Sequence, residues 1–281
     1  MAFVEILKAI VQGILQGITE WLPISSTGHI LLLNAVWKMD ATPEFFDVFK
    51  VVIQLGSIMA VVVLYFHKLN PFSPKKDAAE KANTWKLWLK VLIASVPAAI
   101  AGLALDDLID EKLSVPVVIA AALIIYGIAF IWMENRKKQP TVNSLQDISY
   151  ARALGIGAFP MLALIPGTSR SGSTILGATL LGTSRPVAAE FSFFMAIPVM
   201  LGASGLKVVK YFVLDGYRFS SQEWAVLLIA TVVAFAVSLV VIRFLMAFIK
   251  KHSFKVFGWY RIALGAVVLL VWFLAPGVLA K

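Results

Sequence analysis

Pro166-Gly167-Thr168-Ser169-Arg170-Ser171-Gly172-Ser173-Thr174 separates two short apolar runs, residues 151–165 and 175–181. The nine residues hold a single Arg among hydroxyls. A guanidinium is permanently charged and presents a planar fork that suits phosphate oxygens. Ser and Thr add hydroxyl donors, and Gly lets backbone N–H groups approach an anion closely. In a soluble protein such a stretch would read as a polar turn between helices. The surrounding chain argues otherwise. It has 281 residues, 60% apolar and 15% charged, with a mean hydropathy of +0.86; soluble domains run near ~45–50% and ~25%. Several runs approach or exceed the ~18 residues that cross a bilayer as a helix. The expected fold is an all-α polytopic membrane protein, and an Arg at membrane depth marks a functional site.

Working outward, the 166–174 loop has an echo near the N-terminus. Residues 2–18 are apolar but interrupted by Glu5, Lys8, Gln12 and Gln16. Glu20-Trp21-Leu22-Pro23-Ile24-Ser25-Ser26-Thr27-Gly28-His29 follows, and then a short apolar run, residues 30–36. Two short limbs around a polar Pro/Gly loop predict a re-entrant hairpin, tolerated at depth where protein or a cavity satisfies the backbone. Three spans come next, near 47–66, 87–105 and 115–133. After a polar stretch, the second hairpin is followed by spans near 187–206, 224–247 and 257–274. Each half is one hairpin plus three crossings, six full crossings in all. The repeats are 1–133 and 151–276, joined by a linker at 134–150 within one integral-membrane domain. Pro23-Ile24-Ser25-Ser26-Thr27 pairs with Pro166-Gly167-Thr168-Ser169-Arg170, and 49–56 with 191–198. An odd number of crossings per half predicts inverted topology, with the site where the interrupted segments meet.

The net charge is +9. The bases lie in short loops, so positive-inside bias and contact with anionic lipid explain them, and nucleic acid is not an expected partner. With both termini outside, the loops holding Lys68 to Lys86, the 134–150 linker, Arg185 and Lys250 to Lys255 face the cytoplasm. The segment with Lys207, Lys210 and Arg218 runs against this count, and the acidic residues Asp106, Asp107, Asp110 and Glu111 fall in an outside loop. The N-terminus has no basic n-region or small-residue cleavage site and is read as part of the mature fold. There is no cysteine, which excludes thiol nucleophiles and Cys-based metal sites. The tryptophans cluster near predicted helix ends, as an interfacial belt would place them.

Gln16 and Glu20 are four apart and share a helix face. The turn then supplies Ser25, Ser26, Thr27 and His29, and the second hairpin supplies Arg170 with Ser169, Ser171, Ser173 and Thr174. If the tips meet, the inventory suits phosphoryl transfer. Arg170 and backbone amides hold phosphate oxygens, and Glu20 ligates a hard cation, Mg2+ or Ca2+. The nucleophile is either His29 or Ser26 (or Ser25) with His29 as base. A lone membrane His is also often a packing residue. Gln54 either lines the site or bonds across helices. Glu190 is expected to pair with Arg185, while Arg243 and Arg261 read as snorkelling or lipid-facing bases. A transporter of an anionic or lipid-phosphate solute uses the same architecture and is the competing reading.

Gln16-x-x-x-Glu20, Pro23-x-Ser25-Ser26-Thr27-Gly28-His29 and Pro166-Gly167-x-Ser169-Arg170-Ser171-Gly172-x-Thr174 together resemble the BacA-type undecaprenyl-diphosphate phosphatase family, over the whole chain. The resemblance implies removal of the terminal phosphate of undecaprenyl diphosphate at the outer face of the bacterial cytoplasmic membrane. That reaction recycles the lipid carrier for peptidoglycan and is linked to bacitracin resistance. It further implies Mg2+ or Ca2+ dependence and a fold of two re-entrant hairpins in inverted repeats. Glu20 would be the essential acid, His29 a catalytic residue and Arg170 the phosphate clamp. Ser25, Ser26, Thr27 and Ser169 would be hydroxyl contacts. From the residues themselves, Ser171, Thr174 and Gln54 are expected beside the substrate. The family accepts Glu or Gln at the first motif position; here Gln16 offers a carbonyl oxygen to a cation instead of a carboxylate. Membrane lipid is the expected surroundings, and a homodimer is compatible with the sequence.

Overall fold

Backbone polar groups inside a bilayer must be satisfied within the chain, so apolar spans of this length form helices. The computed structural model describes residues 2–113 and 115–274. Its helices are α1 (Ala2–Thr19), α2 (Ser26–Val36), α3 (Pro43–Val52), α4 (Gln54–Leu64), α5 (Phe66–Leu69), α6 (Ala78–Leu113) and α7 (Pro116–Asn135). They are followed by α8 (Tyr150–Ala158), α9 (Arg170–Leu180), α10 (Arg185–Val209), α11 (Ser221–Ile249) and α12 (Lys255–Leu274). A 3₁₀ segment, Phe159–Leu164, follows α8, and a π turn, Lys210–Leu214, extends α10. Among the described residues, six segments are long and apolar enough to span a membrane: Pro43–Leu64, Ala78–Leu105, Pro116–Asn135, Arg185–Leu214, Ser221–Ile249 and Lys255–Leu274. The protein is an all-α, multi-pass membrane protein.

Several boundaries differ from the sequence reading. The first span begins at Pro43, placed at a helix start with Thr42 capping the amide of Phe45, and breaks at Ile53. α6 extends through the region expected to be an acidic loop; the side chains of residues 106–111 lie outside the described residues, as does the tail 275–281. The second hairpin's first limb ends in a 3₁₀ segment because Pro160 cannot continue the α-helical ladder.

Small residues let helices approach closely, as in other membrane bundles. A Cβ on Gly56 of α4 would stand 2.1 Å from the carbonyl oxygen of Thr231 on α11. On Gly157 of α8 it would stand 1.9 Å from that of Ala94 on α6. Buried aromatics fill the space around the hairpins: Phe191, Phe193 and Phe194 of α10 are fully buried, and Phe193 meets Trp21 edge-on at 5.1 Å. Trp21 is therefore a core residue at a hairpin tip and does not join an interfacial belt.

Both hairpin tips end in the same local device. Ser25 precedes α2 with φ 77° and its Oγ accepts from the Gly28 amide at 3.3 Å. Ser169 precedes α9 with φ 75° and its Oγ accepts from the Gly172 amide at 3.1 Å. Positive φ at a non-Gly residue stores strain of about 1–3 kcal/mol, which the caps offset by satisfying amides that the helix leaves orphaned. The match sets Ser25 opposite Ser169. This is one position off the Pro-to-Pro pairing read from sequence, because the second tip contains one more residue between its Pro and its cap. Gly167, in that longer tip, takes φ +94°, where an L side chain would be strained.

Candidate active site between the hairpin tips

The turn after α1 and the N-terminus of α9 place Glu20 beside Arg170. Arg170 Nη2 donates to Glu20 Oε1 at 2.7 Å, and the two side chains are 13% and 3% exposed. Glu20 Oε2 accepts from Gln16 Nε2 at 3.0 Å and from Ser26 Oγ at 2.8 Å. Ser171 Oγ donates to the Glu20 carbonyl at 2.9 Å and lies 3.3 Å from Ser169 Oγ. Arg170 is held from behind by the Ser192 carbonyl of α10, 2.9 Å from Nη1. One carboxylate and one guanidinium are thus joined across 150 residues, with hydroxyls on both sides.

A cavity of about 220 Å³ opens on this cluster. Glu20, Ser25, Ser26, Thr27, Ser169, Arg170, Ser171 and Gln54 all line it. His29 and Thr174 do not. His29 Nδ1 lies 2.7 Å from the Ser25 carbonyl, and Nε2 lies 2.7 Å from the Tyr260 hydroxyl, whose ring stacks on the imidazole. Thr174 Oγ1 donates back to the Arg170 carbonyl at 2.8 Å, inside α9. Gln16 is fully buried beside Glu20.

Lys50 and Lys207 also line the cavity, and the sequence reading gave neither a role there. Lys50, whose side chain is 13% exposed, pairs with Asp47 at 2.8 Å; a base inside an apolar span was the available signal. The charged side chains on the walls are Glu20, Lys50, Arg170 and Lys207, with Lys50 paired to Asp47 and Arg170 to Glu20. Leu31, Val51, Leu164 and Val199 provide an apolar flank.

Arg261 corrects an expectation outright. Instead of facing lipid it is 0% exposed. Its Nη1 donates to the Pro23 carbonyl at 3.0 Å, and Nη2 donates to the Gly167 and Thr168 carbonyls, each at 2.9 Å. Longer contacts of 3.4 Å reach the Leu123 and Ala122 carbonyls of α7, and the guanidinium lies over the Tyr126 ring at 5.4 Å. A charge in the interior is tolerated where every donor finds an acceptor. Here those acceptors are the two loops themselves, so α12 ties the tips together. No periodicity in α12 distinguishes a base that points at distant carbonyls from one that reaches to the interface. Glu190 is a second correction. It pairs with Lys68, while Arg185 pairs with Glu134. Arg243 is exposed, in keeping with the sequence reading.

The donor set can be tested against a divalent cation. Glu20 is its one carboxylate, and among the described residues no cluster of three or more acidic, His or Cys side chains could hold a metal. Gln16 Oε1, however, is buried with no hydrogen-bond partner. An orphaned carbonyl oxygen beside a carboxylate and a hydroxyl fits a hard cation that keeps waters and shares substrate phosphates, as Mg2+ does.

Comparison with known proteins now bears on the chain. Residues 9–267 match the model of the family described as bacitracin resistance protein BacA. The chain belongs to the BacA family. It is 55% identical over 274 residues to an undecaprenyl-diphosphatase of Enterococcus faecalis, covering 97% of this chain and 99% of that one. It is 57% identical over 267 residues to one of Lactiplantibacillus plantarum, covering 94% and 97%. The undecaprenyl-diphosphatase 1 of Clostridioides difficile is 55% identical over 273 residues, covering 97% and 98%. Within this BacA-family chain, the Gln16–Glu20, Pro23–His29 and Pro166–Thr174 motifs converge on the tips that Arg261 joins.

Proposed function

We propose that the protein hydrolyses undecaprenyl diphosphate to undecaprenyl phosphate and inorganic phosphate, as the names of its relatives describe for them. The observation that carries this reading is the buried Glu20–Arg170 pair, with Ser26 donating to Glu20, in a cavity that Lys50 and Lys207 also line. The diphosphate sits between the hairpin tips, and the prenyl chain leaves along the apolar flank. Arg170 Nε is buried and has no protein partner, so the guanidinium keeps a donor for a phosphate oxygen while its other nitrogens hold it in place. Fixed donors of this kind stabilise charge that develops in the transition state.

Ser26 is the group placed for attack. Its O–H already points at Glu20, the arrangement of a hydroxyl nucleophile and its base. Attack of Ser26 Oγ on the terminal phosphorus breaks the bond to the bridging oxygen and passes the hydroxyl proton to Glu20. Undecaprenyl phosphate leaves with that bridging oxygen, which takes the proton from Glu20 and restores its carboxylate. Water then attacks the phosphoserine with Glu20 as base, the P–Oγ bond breaks to release inorganic phosphate, and Glu20 returns the proton to Ser26 Oγ. His29 acts as a positioning residue, because its two nitrogens hold the strained Ser25 carbonyl and Tyr260. Glu20 and Gln16 would hold Mg2+ or Ca2+, which supplies neutralisation of diphosphate charge when bound.

The protein resides in a bacterial cytoplasmic membrane with the cavity opening to the outer face and the 134–150 linker inside. The matching caps at Ser25 and Ser169 support two inverted repeats. Two assays separate hydrolysis from transport: phosphate release from undecaprenyl diphosphate by purified protein, and movement of the intact lipid across vesicles. Release is the expected result. Movement of the diphosphate with no release would replace this reading with a transporter.

A further inference from the structure

A second cavity lies away from the hairpin tips. A cavity of about 600 Å³ lies where the C-terminal ends of α7, α9 and α11 meet the start of α10, and it shares no lining residue with the first. Each of two helices connects the pair. Arg170 opens α9 at the tip cavity, and Leu180 closes it at this one. Arg185 and Val199 of α10 border this cavity and the tip cavity in turn. At 1.5 Å per residue the two lie roughly 15–20 Å apart along these helices. The volume falls within the ~300–1,000 Å³ of small-molecule sites.

Its lining is strongly basic. Arg136, Lys137, Lys138, Arg185 and Lys250 border it, with Glu134 as the one acid. That acid is already neutralised: Arg185 donates to both its oxygens, and the Phe254 amide donates to Oε1 at 3.0 Å. The other four bases have no carboxylate within salt-bridge distance among the described residues. Arg136 lies over the Trp132 ring at 5.0 Å, which fixes its head. Thr183 supplies an independent sign of a missing ligand. It lines the cavity at 2% exposure, and its Oγ1 is buried with no hydrogen-bond partner. A buried hydroxyl without a partner is costly in a native structure and calls for an explanation.

The linker that borders the cavity is hydrogen-bonded into the fold. The Thr141 and Val142 amides both donate to the Gly182 carbonyl, and the Ser184 amide donates to the Val142 carbonyl, so the linker is laced to the α9–α10 turn. Buried Lys90 of α6 clamps the linker again through the Gln146 carbonyl at 2.8 Å. A basic pocket with a hydroxyl that needs a partner is the chemistry of phosphate recognition.

We infer that this cavity is a second phosphate-binding site, separate from the tip cavity, for a phosphomonoester dianion. The dianion is either the headgroup of a lipid or a soluble phosphate. The test uses the full chain carrying Arg170→Ala, which removes the clamp of the tip cavity, in phosphatidylcholine nanodiscs. One arm titrates inorganic phosphate; the other adds phosphatidic acid and counts retained lipid by native mass spectrometry. Phosphatidylglycerol, a diester of lower charge, is the control. Saturable binding in either arm is expected. It should weaken at least tenfold in Arg136→Gln/Lys138→Gln/Lys250→Gln and several-fold in Thr183→Val, with melting curves showing both variants folded. Response in the phosphate arm identifies a soluble anion, and response in the lipid arm alone identifies a headgroup. Absence of saturable binding in both arms overturns the site. So does binding that the triple variant leaves unchanged, or phosphatidylglycerol retained as well as phosphatidic acid, since that would show a general field and no monoester site.

Discussion

Glu20 and Arg170 are each almost useless alone at this depth and become tolerable only together. Removing one partner of a buried pair leaves the other charge uncompensated, a penalty of about 3–5 kcal/mol. Arg170→Lys keeps the charge but loses the planar fork that reaches Glu20 and Ser192 together. Its phosphate-release rate should fall by about two orders of magnitude or more, measured beside wild type under saturating lipid. Gln16 makes a finer prediction. Gln16→Glu sets a second carboxylate at the orphaned Oε1 position, so its rate should saturate at lower Mg2+ than wild type. Identical Mg2+ titrations would remove Gln16 from the metal set. These residues were legible in sequence because each is a polar group where lipid should be, and the motif spacing pairs them. His29 was legible as a polar residue but not by direction. Which way an imidazole turns depends on Tyr260, 231 residues away, and no local pattern encodes that. Tyr260→Phe should lower the rate by about tenfold or less, well short of the Arg170 effect.

At the scale of elements, the six long helices were readable from length and apolarity, while their breaks were not. α3 and α4 part at Ile53, and α6 overruns its predicted end. Arg261 is the clearest case. From α12 alone it is a base on an apolar helix; in the fold it holds the carbonyls of both tips. Arg261→Met strips the donors from those carbonyls and should lower the melting temperature markedly, by the equivalent of roughly 3–5 kcal/mol. A melting curve unchanged from wild type would show that the tips hold together without it. Close helix crossings make a paired prediction. Gly56→Ala drives a methyl into the Thr231 carbonyl and should destabilise by about 1–3 kcal/mol or more. Gly202→Ala meets nothing within 4 Å on α10 and should be neutral or stabilising by about 0.5–1 kcal/mol. Thermal melts of the two variants side by side check both.

Across the whole molecule, two discontinuous hairpins deliver one acid and one base to a shared point, and Arg261 fixes their spacing. The sequence predicted the hairpins because short apolar limbs around Pro, Gly and Ser cannot be ordinary spans. It could not place the basic cavity beside the linker, since its bases come from segments that are far apart in the chain and look like positive-inside charge. Topology is directly measurable, because the native chain has no cysteine. A single Lys138→Cys should react with an impermeant maleimide only from the cytoplasmic side, and Asp215→Cys only from the outside. The reverse pattern would invert the orientation.

The most direct test of the tip site is the initial rate of phosphate release from undecaprenyl diphosphate by wild type and Glu20→Gln, with melting curves of both. Gln keeps the size of Glu20 and can still accept from Arg170, but it cannot take a proton. A fall of about a hundredfold or more in a folded variant is the result this account predicts. A rate within about threefold of wild type, well under the usual contribution of a general base, would contradict it.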